Sequence, residues 1–167
     1  MSVRPVLRYP HPLLKCVLPE VGTDSRLVVQ GMIDLVDTMR SHRGCVGVAA
    51  PQIGVKARLI VVDVTDHPKA TACHGLLQLI NPRISAALGS EVGREGCLSI
   101  PGLTANVRRA TEVVIEARSL DGEQLTVETD GFEARCLQHE IDHLDGILFL
   151  DRVDSLATDV FRRKKFK

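Results

Sequence analysis

Neither sign of charge dominates this chain. Lys plus Arg and Asp plus Glu each number 21 in 167 residues, so composition offers no global field for nucleic acid or an anionic membrane surface. No apolar run approaches the length of a membrane span, and the opening residues, Met1-Ser2-Val3-Arg4-Pro5, lack the hydrophobic segment of a signal peptide. The five cysteines, Cys16, Cys45, Cys73, Cys97 and Cys136, are odd in number and contain no C-x-x-C pair. That argues against a disulfide framework and fits a reduced, intracellular protein. Internal repeats, low-complexity tracts and linkers are also missing. The expectation is a monomeric cytoplasmic enzyme with no membrane association, in which residues 1–167 form one domain with a real core.

What the chain does contain is Gln138-His139-Glu140-Ile141-Asp142-His143, with the pattern H-E-x-x-H. On a helix, side chains four residues apart share a face, so His139 and His143 can bind one divalent cation with Glu140 beside it as an acid/base. Thr129, Asp130 and Gly131 make a helix start and Gly146 a stop. Cys136, His139, Glu140 and His143 then fall on one stripe, which makes little sense as ordinary core because a buried Glu without a partner is costly.

Elsewhere the pattern is of strands and one further helix. Pro5, Pro10, Pro12 and Pro19 predict an extended surface arm over residues 1–23, with His11 a surface residue rather than a ligand. Val28, Met32, Leu35, Val36 and Met39 share a face, with Asp24 a candidate cap and Gly44 a stop, predicting an amphipathic helix. Ala57 to Val64 and Gly75 to Ile80 read as strands, the second ending at Asn81-Pro82. The polar loop between them carries His67 and His74, expected to face solvent. Thr111 to Ser119 and Gln124 to Glu128 flank Asp121-Gly122, a strong hairpin signal. From Asp154, the spacing of Leu156, Val160 and Phe161 predicts a short C-terminal helix before a basic end, Arg162 to Lys167. The fold class expected is therefore α+β: mixed or antiparallel strands around a central helix carrying H-E-x-x-H, with an N-terminal amphipathic helix and a short C-terminal one.

Two histidines do not complete a metal site. The pattern H-E-x-x-H-x-x-G-x-x-H would supply a third, and Gly146 fits it, but Phe149 stands where that His should be. A downstream Glu is also lacking, since only Asp151, Asp154 and Asp159 remain. Upstream, Arg94-Glu95-Gly96-Cys97-Leu98-Ser99-Ile100-Pro101-Gly102 presents Cys97 in a short tight segment, and its thiolate is the best candidate. A Cys/His/His set leaves a fourth tetrahedral position for water, the mark of a catalytic site. Gln52, near the end of the small apolar run from Gly44 to Gly54, offers an amide donor to a pocket, a weak signal alone.

Cys45-Val46-Gly47-Val48-Ala49-Ala50-Pro51-Gln52, Glu95-Gly96-Cys97-Leu98-Ser99 and Gln138-His139-Glu140-Ile141-Asp142-His143, in this order and spacing, resemble the three motifs of the peptide deformylases. That family removes the formyl group from the N-terminal formyl-methionine of new polypeptides and releases formate. The resemblance implies Cys97, His139 and His143 as metal ligands and Glu140 as acid/base, with Gln52 and the Leu98 N–H facing the oxyanion. It also implies a methionine pocket from Val46, Gly47, Leu98, Phe132, Arg135 and Cys136, N-formylmethionyl peptides as partners, and Fe2+ as the ion, replaceable by Zn2+, Ni2+ or Co2+. The family's task would favour ribosome contact by the basic C-terminus. One departure stands out: Cys45 occupies the family's first Gly, where a β-carbon could narrow access or restrain a backbone that prefers positive φ. A low-activity paralogue, a general metallopeptidase and a metal-stabilised binding module are the competing readings, the last of which would not need Glu140.

Overall fold

A computed structural model describes residues 3–23, 25–71 and 73–163. Its centre is strand β2, Leu59–Val62, whose four side chains are all buried. Strand periodicity sends alternate residues to opposite faces. Leu59 and Val61 accordingly join Val28, Met32, Leu35 and Met39 of helix α1 (Arg26–Ser41), while Ile60 and Val62 join Leu137, Ile141 and Leu144 of helix α2 (Gly131–Leu144). A strand apolar on both faces thus holds one helix on each side.

The sheet containing β2 has five antiparallel strands. Their order is β1 (Gly47–Ala49), β2, β3 (Leu77–Leu88), β6 (Glu112–Arg118) and β7 (Gln124–Asp130). The other sheet has three, β4 (Glu91–Cys97), β5 (Ile100–Arg109) and β8 (Val160–Arg162), in that order. Helix α2 lies between the sheets. Its stripe of Ala134, Leu137, Ile141 and Leu144 packs on the larger sheet, and Arg135, His139 and His143 meet residues of β4. Each fully buried aliphatic side chain on the first stripe contributes roughly 1.5–3 kcal/mol. The α+β expectation holds, with the metal-motif helix at the centre.

The amphipathic helix also holds. All five expected apolar positions are buried, and Ser25 Oγ accepts the Val28 N–H at 3.2 Å as the N-cap; Asp24, the expected cap, lies outside the described residues. The Asp121-Gly122 hairpin joins β6 and β7 in continuous register from Arg118–Gln124 to Glu112–Asp130.

Four expectations are corrected. The expected C-terminal helix is strand β8: Val160 and Phe161 pair with Ala105 and Thr104, because a β-branched and an aromatic residue beside an open strand edge gain more from pairing than from one helical turn. The strand from Gly75 does not stop at Asn81-Pro82. Asn81 takes a positive φ of 51 at an irregularity, bonds Val21 through both side-chain polar atoms, and the strand runs on to Leu88. Arg94 to Gly102, expected as a short tight segment, instead spans the turn of a hairpin whose strands are Glu91–Cys97 and Ile100–Arg109, turning at Leu98-Ser99. Finally, the proline arm is less superficial than expected. Pro12–Lys15 forms a 3₁₀ turn capped by His11, and Leu13, Leu14 and Leu18 are buried. The Leu7 N–H donates to the Gln52 carbonyl at 2.7 Å and the Tyr9 N–H to the Ser99 carbonyl at 3.0 Å, so the arm ties the turn at Gln52 to the turn that follows Cys97.

Candidate active site

Cys97 ends β4, and its side chain enters the space beside α2, where the two histidines arrive one turn apart. One ligating atom from each of Cys97, His139 and His143 lies within 4.8 Å of the others. Cys97 Sγ is 3.2 Å from His143 Nε2. All three residues are buried. Burial alone would raise the Cys97 pKa, but His143 and His139 beside it hold it well below the ordinary thiol value. A cysteine and two histidines at a mutual spacing one ion would bridge make a donor set that fits a soft to borderline divalent cation. Its convergence in a buried position is hard to explain otherwise.

His139 is oriented from behind. Its Nδ1 is 2.9 Å from Glu95 Oε2, which leaves Nε2 for the centre. Glu95 is held in turn by Arg109, whose Nε and Nη2 reach its two oxygens at 3.0 and 3.1 Å, and by Arg135 Nη1 at 3.0 Å. Burial opposes the charge on Glu95, yet His139 and Arg109 keep it well below the usual carboxylate range. Arg109 also bonds Asp142, which Arg152 Nη2 reaches at 2.6 Å. Two motifs are thus joined by an ionic network that is buried at Glu95, Arg109, His139 and Asp142, and its members Arg109 and Arg152 carried no local sequence signal.

Glu140 lies 5% exposed at a cavity of about 540 Å³. Burial pushes its pKa up to about 7, Cys97 and Glu95 adding to the rise and the histidines opposing it. Glu140 Oε2 is one of two buried side-chain polar atoms without a partner among the described residues, the other being His143 Nδ1. A β-carbon built on Gly47 would stand 2.7 Å from Glu140 Oε1, so only glycine leaves the carboxylate its place.

Gln52 is fixed at both ends of its amide. Its Oε1 accepts the Ala49 N–H at 2.9 Å, and Nε2 donates to Cys97 Sγ at 3.3 Å and Ser99 Oγ at 3.1 Å. Leu98, Val46, Gly47, Phe132, Arg135 and Cys136 all line the same cavity. The Arg135 guanidinium is committed to Glu95 and to the Val107 and Glu91 carbonyls. Burial pushes the Cys45 thiol up to about 12, and its Sγ donates to the Gly47 carbonyl at 3.2 Å. Positive φ falls on Gly44, not on Cys45, so the backbone strain feared for a side chain there does not arise.

His67 and His74 do not simply face solvent. His67 stacks on Phe132 with centroids 4.0 Å apart and rings inclined by 12°, extending the cavity wall. His74 Nδ1 lies 2.7 Å from the buried Glu133 carboxylate. Neither role was readable locally, because both partners lie about 60 residues away in sequence.

A buried Cys/His/His cluster opening on a cavity beside an ionisable carboxylate has the makings of a hydrolytic metal centre. The sequence profile of the polypeptide deformylases matches residues 3–159, and the chain belongs to that family, the enzymes that remove the N-formyl group from nascent polypeptides. A peptide deformylase of Thermodesulfovibrio yellowstonii is 39% identical over 100% of this chain and 98% of its own. One from Thermomicrobium roseum is 45% identical, covering 95% of this chain and 90% of its own. Among solved structures, the Legionella pneumophila peptide deformylase superposes with a TM-score of 0.83 at 37% identity, covering 93% of this chain and 88% of that one. A Met-Ala-Ser-bound peptide deformylase from Acinetobacter baumannii gives 0.84 at 34% identity, covering 91% and 100%.

Proposed function

We propose that Cys97, His139 and His143 hold the catalytic metal of this deformylase, with Glu140 as acid/base and Gln52 with the Leu98 N–H as oxyanion donors. The observation that carries this reading is the meeting of the three ligands beside the buried, partnerless Glu140 oxygen. A divalent cation held there supplies Lewis acidity toward the formyl carbonyl and makes water more acidic. The chain does the rest. Val46, Gly47, Leu98, Phe132, Arg135 and Cys136 form the wall for the methionine side chain, which positions the formyl group. Glu140 takes a proton from the attacking water, and a carboxyl with pKa near neutrality suits it to return that proton to the departing amine. Gln52 Nε2, held by the Ala49 bond and aimed toward Cys97, donates to the oxyanion as it forms. Because a thiolate ligand weakens Lewis acidity relative to three neutral imidazoles, these donors matter more.

Formate release from formyl-Met-Ala-Ser, compared with cleavage of unformylated Met-Ala-Ser, tests the reaction; the Acinetobacter relative solved with Met-Ala-Ser is the motive for that sequence. Glu140→Ala should abolish turnover with the metal retained. Cleavage of the unformylated peptide would point to a general metallopeptidase instead.

The ion is proposed to be Fe2+, with Zn2+, Ni2+ or Co2+ able to replace it. Anaerobic purification with metal analysis should show iron and activity together, and full activity only with zinc would reject that choice. We further propose a monomeric cytoplasmic enzyme with residues 1–167 as a single catalytic domain; no helix among the described residues is long and apolar enough to cross a membrane. The basic end, Arg162 to Lys167, of which residues 164–167 lie outside the described residues, is proposed to touch ribosomal RNA. Its removal should weaken ribosome co-sedimentation in a salt-dependent way.

A further inference from the structure

The opening of the cavity is ringed by cations. Arg43, Lys69, Arg94 and Arg163 all line it and all are exposed. Among the described residues none of the four takes part in an ion pair; the basic residues that do are others, such as Arg4, Lys15, Arg58, Arg83 and Arg108. The carboxylates lining the cavity are Glu95 and Glu140, both buried. Glu95 is already committed to Arg109, Arg135 and His139. A chain with equal numbers of basic and acidic residues therefore concentrates unbalanced positive charge at one opening. Four like charges around a low-dielectric cleft repel one another and focus a field into it.

Two of these cations are built into place. Arg94 Cζ lies 3.6 Å from the centroid of the Phe161 ring. Stacking occupies the face of a guanidinium and leaves its in-plane N–H donors free for a carboxylate. Arg163 follows β8, anchored by its N–H to the Gly102 carbonyl at 2.9 Å. A β-carbon built on Gly96 would meet Arg163 Nη2 at 3.0 Å, so the guanidinium lies against the strand beside Cys97. Lys69 Nζ stands 6.0 Å from the Phe132 centroid, next to the surface assigned to methionine.

We propose that this ring makes the enzyme selective for formyl-methionyl peptides carrying acidic side chains in the residues that follow the methionine. The inference rests on the reading of the cavity as the formyl-peptide site. Those residues must pass out through the opening, where Arg94, Arg163, Lys69 and Arg43 offer charge-assisted hydrogen bonds. Phe161 and Arg163 come from the strand end, so the C-terminal stretch takes a part in substrate choice.

The test compares kcat/KM for three C-terminally amidated peptides, formyl-Met-Ala-Asp-Glu, formyl-Met-Ala-Ser-Ser and formyl-Met-Ala-Lys-Arg, at about 20 mM and about 500 mM salt. At low salt the acidic peptide should be favoured over the basic one roughly tenfold, falling toward parity at high salt. The double variant Arg94→Glu/Arg163→Glu should invert the order. Each enzyme is scored as a ratio of two substrates, so partial loss of folded protein cancels. Equal rates, a preference for the basic peptide, or an unchanged ratio in the double variant overturns the proposal. So does peptide indifference combined with tight binding of single-stranded RNA that the double variant loses, which would make the ring a nucleic-acid surface. No formate from any of the three peptides is a different result, rejecting the reading of the cavity and this inference with it.

Discussion

Glu95 Oε2 stands 2.9 Å from His139 Nδ1, while Arg109 and Arg135 hold the same carboxylate from the other side. The ring of His139 is thereby fixed in tautomer and orientation by a group two residues before Cys97. Glu95→Gln removes the charge but not the shape. It leaves Arg109, 4% exposed at its side chain, with only Asp142 to balance it. Stability should fall by about 3 kcal/mol, as expected when one partner of a buried ionic network is neutralised. Metal affinity should fall roughly 10- to 100-fold. Urea denaturation and competition with a chelator measure the two effects separately.

Gln52 contributes a donor and an acceptor to two different tasks. Gln52→Ala leaves the Ala49 N–H unpartnered in a buried position, costing roughly 1–3 kcal/mol of stability. If Nε2 serves the oxyanion, kcat should drop about 10²- to 10³-fold with little change in KM. Steady-state kinetics on a formyl-methionyl peptide decides, since a purely structural role would lower stability while leaving kcat per folded molecule intact.

Gly47→Ala places a methyl group where Glu140 Oε1 now lies, at 2.7 Å. Gly47 is not among the residues with positive φ, so the backbone accepts alanine and stability should change by less than about 1 kcal/mol. Displacing the carboxylate by about an ångström should nonetheless cost on the order of 100-fold in kcat/KM. Thermal unfolding beside formate release would show that contrast.

The parts of the fold that were legible in the sequence are those whose signal is local. Val28, Met32, Leu35, Val36 and Met39 announce α1 by their spacing, and Asp121-Gly122 announces its hairpin. The meeting of Cys97 with His139 and His143 was also legible, because H-E-x-x-H without a downstream third donor turns the search upstream to Cys97. Strands β4 and β5 were obscure since Gly93, Gly96, Pro101 and Gly102 break any apolar alternation; their hydrogen bonds to each other and to β8, not propensity, hold them extended. His67 on Phe132 and Arg109 between Glu95 and Asp142 are long-range contacts with no periodicity to announce them. The departure at Cys45 was visible but its consequence was not, because only the backbone shows Gly44 taking the positive φ.

The cysteines should separate by reactivity. Cys45 is half-buried and its thiol, pushed up to about 12, stays protonated at neutral pH; Cys136 is buried and its pKa is raised further. Cys16 and Cys73 are exposed. Alkylation of the metal-loaded enzyme at pH 7 should label Cys16 and Cys73 first and leave Cys45, Cys97 and Cys136 largely unmodified, read by peptide mass spectrometry. Cys45→Gly should change turnover of formyl-Met-Ala-Ser by less than about threefold, because its backbone carries no strain to release; a large gain would identify Cys45 as a brake on the reaction.

Glu140 gives the metal-free protein a pH signature. Burial raises its folded pKa from 4.5 to about 7, so between those values the folded chain binds more protons than the unfolded chain. Stability from this group is fully present below pH of about 4.5 and is lost as pH rises through about 7, since the unfolded carboxylate ionises freely and the buried one does not. The loss amounts to about 3 kcal/mol at most, taking 1.36 kcal/mol per pKa unit. His139, whose pKa is raised by Cys97 and Glu95 against the effect of burial, adds a slope of the same sign. Cys97, held as a thiolate, gives one of the opposite sign. The Glu140 share is therefore the difference between the metal-free wild type and metal-free Glu140→Gln, measured by urea denaturation from pH 4.5 to 8. Wild type should lose stability relative to the variant across that window. Loading the metal should flatten the difference, because a nearby cation favours the ionised carboxylate in the folded state. Parallel curves in the metal-free proteins would show that Glu140 ionises as easily in the fold as in water, and would remove the basis for a carboxyl poised near neutrality.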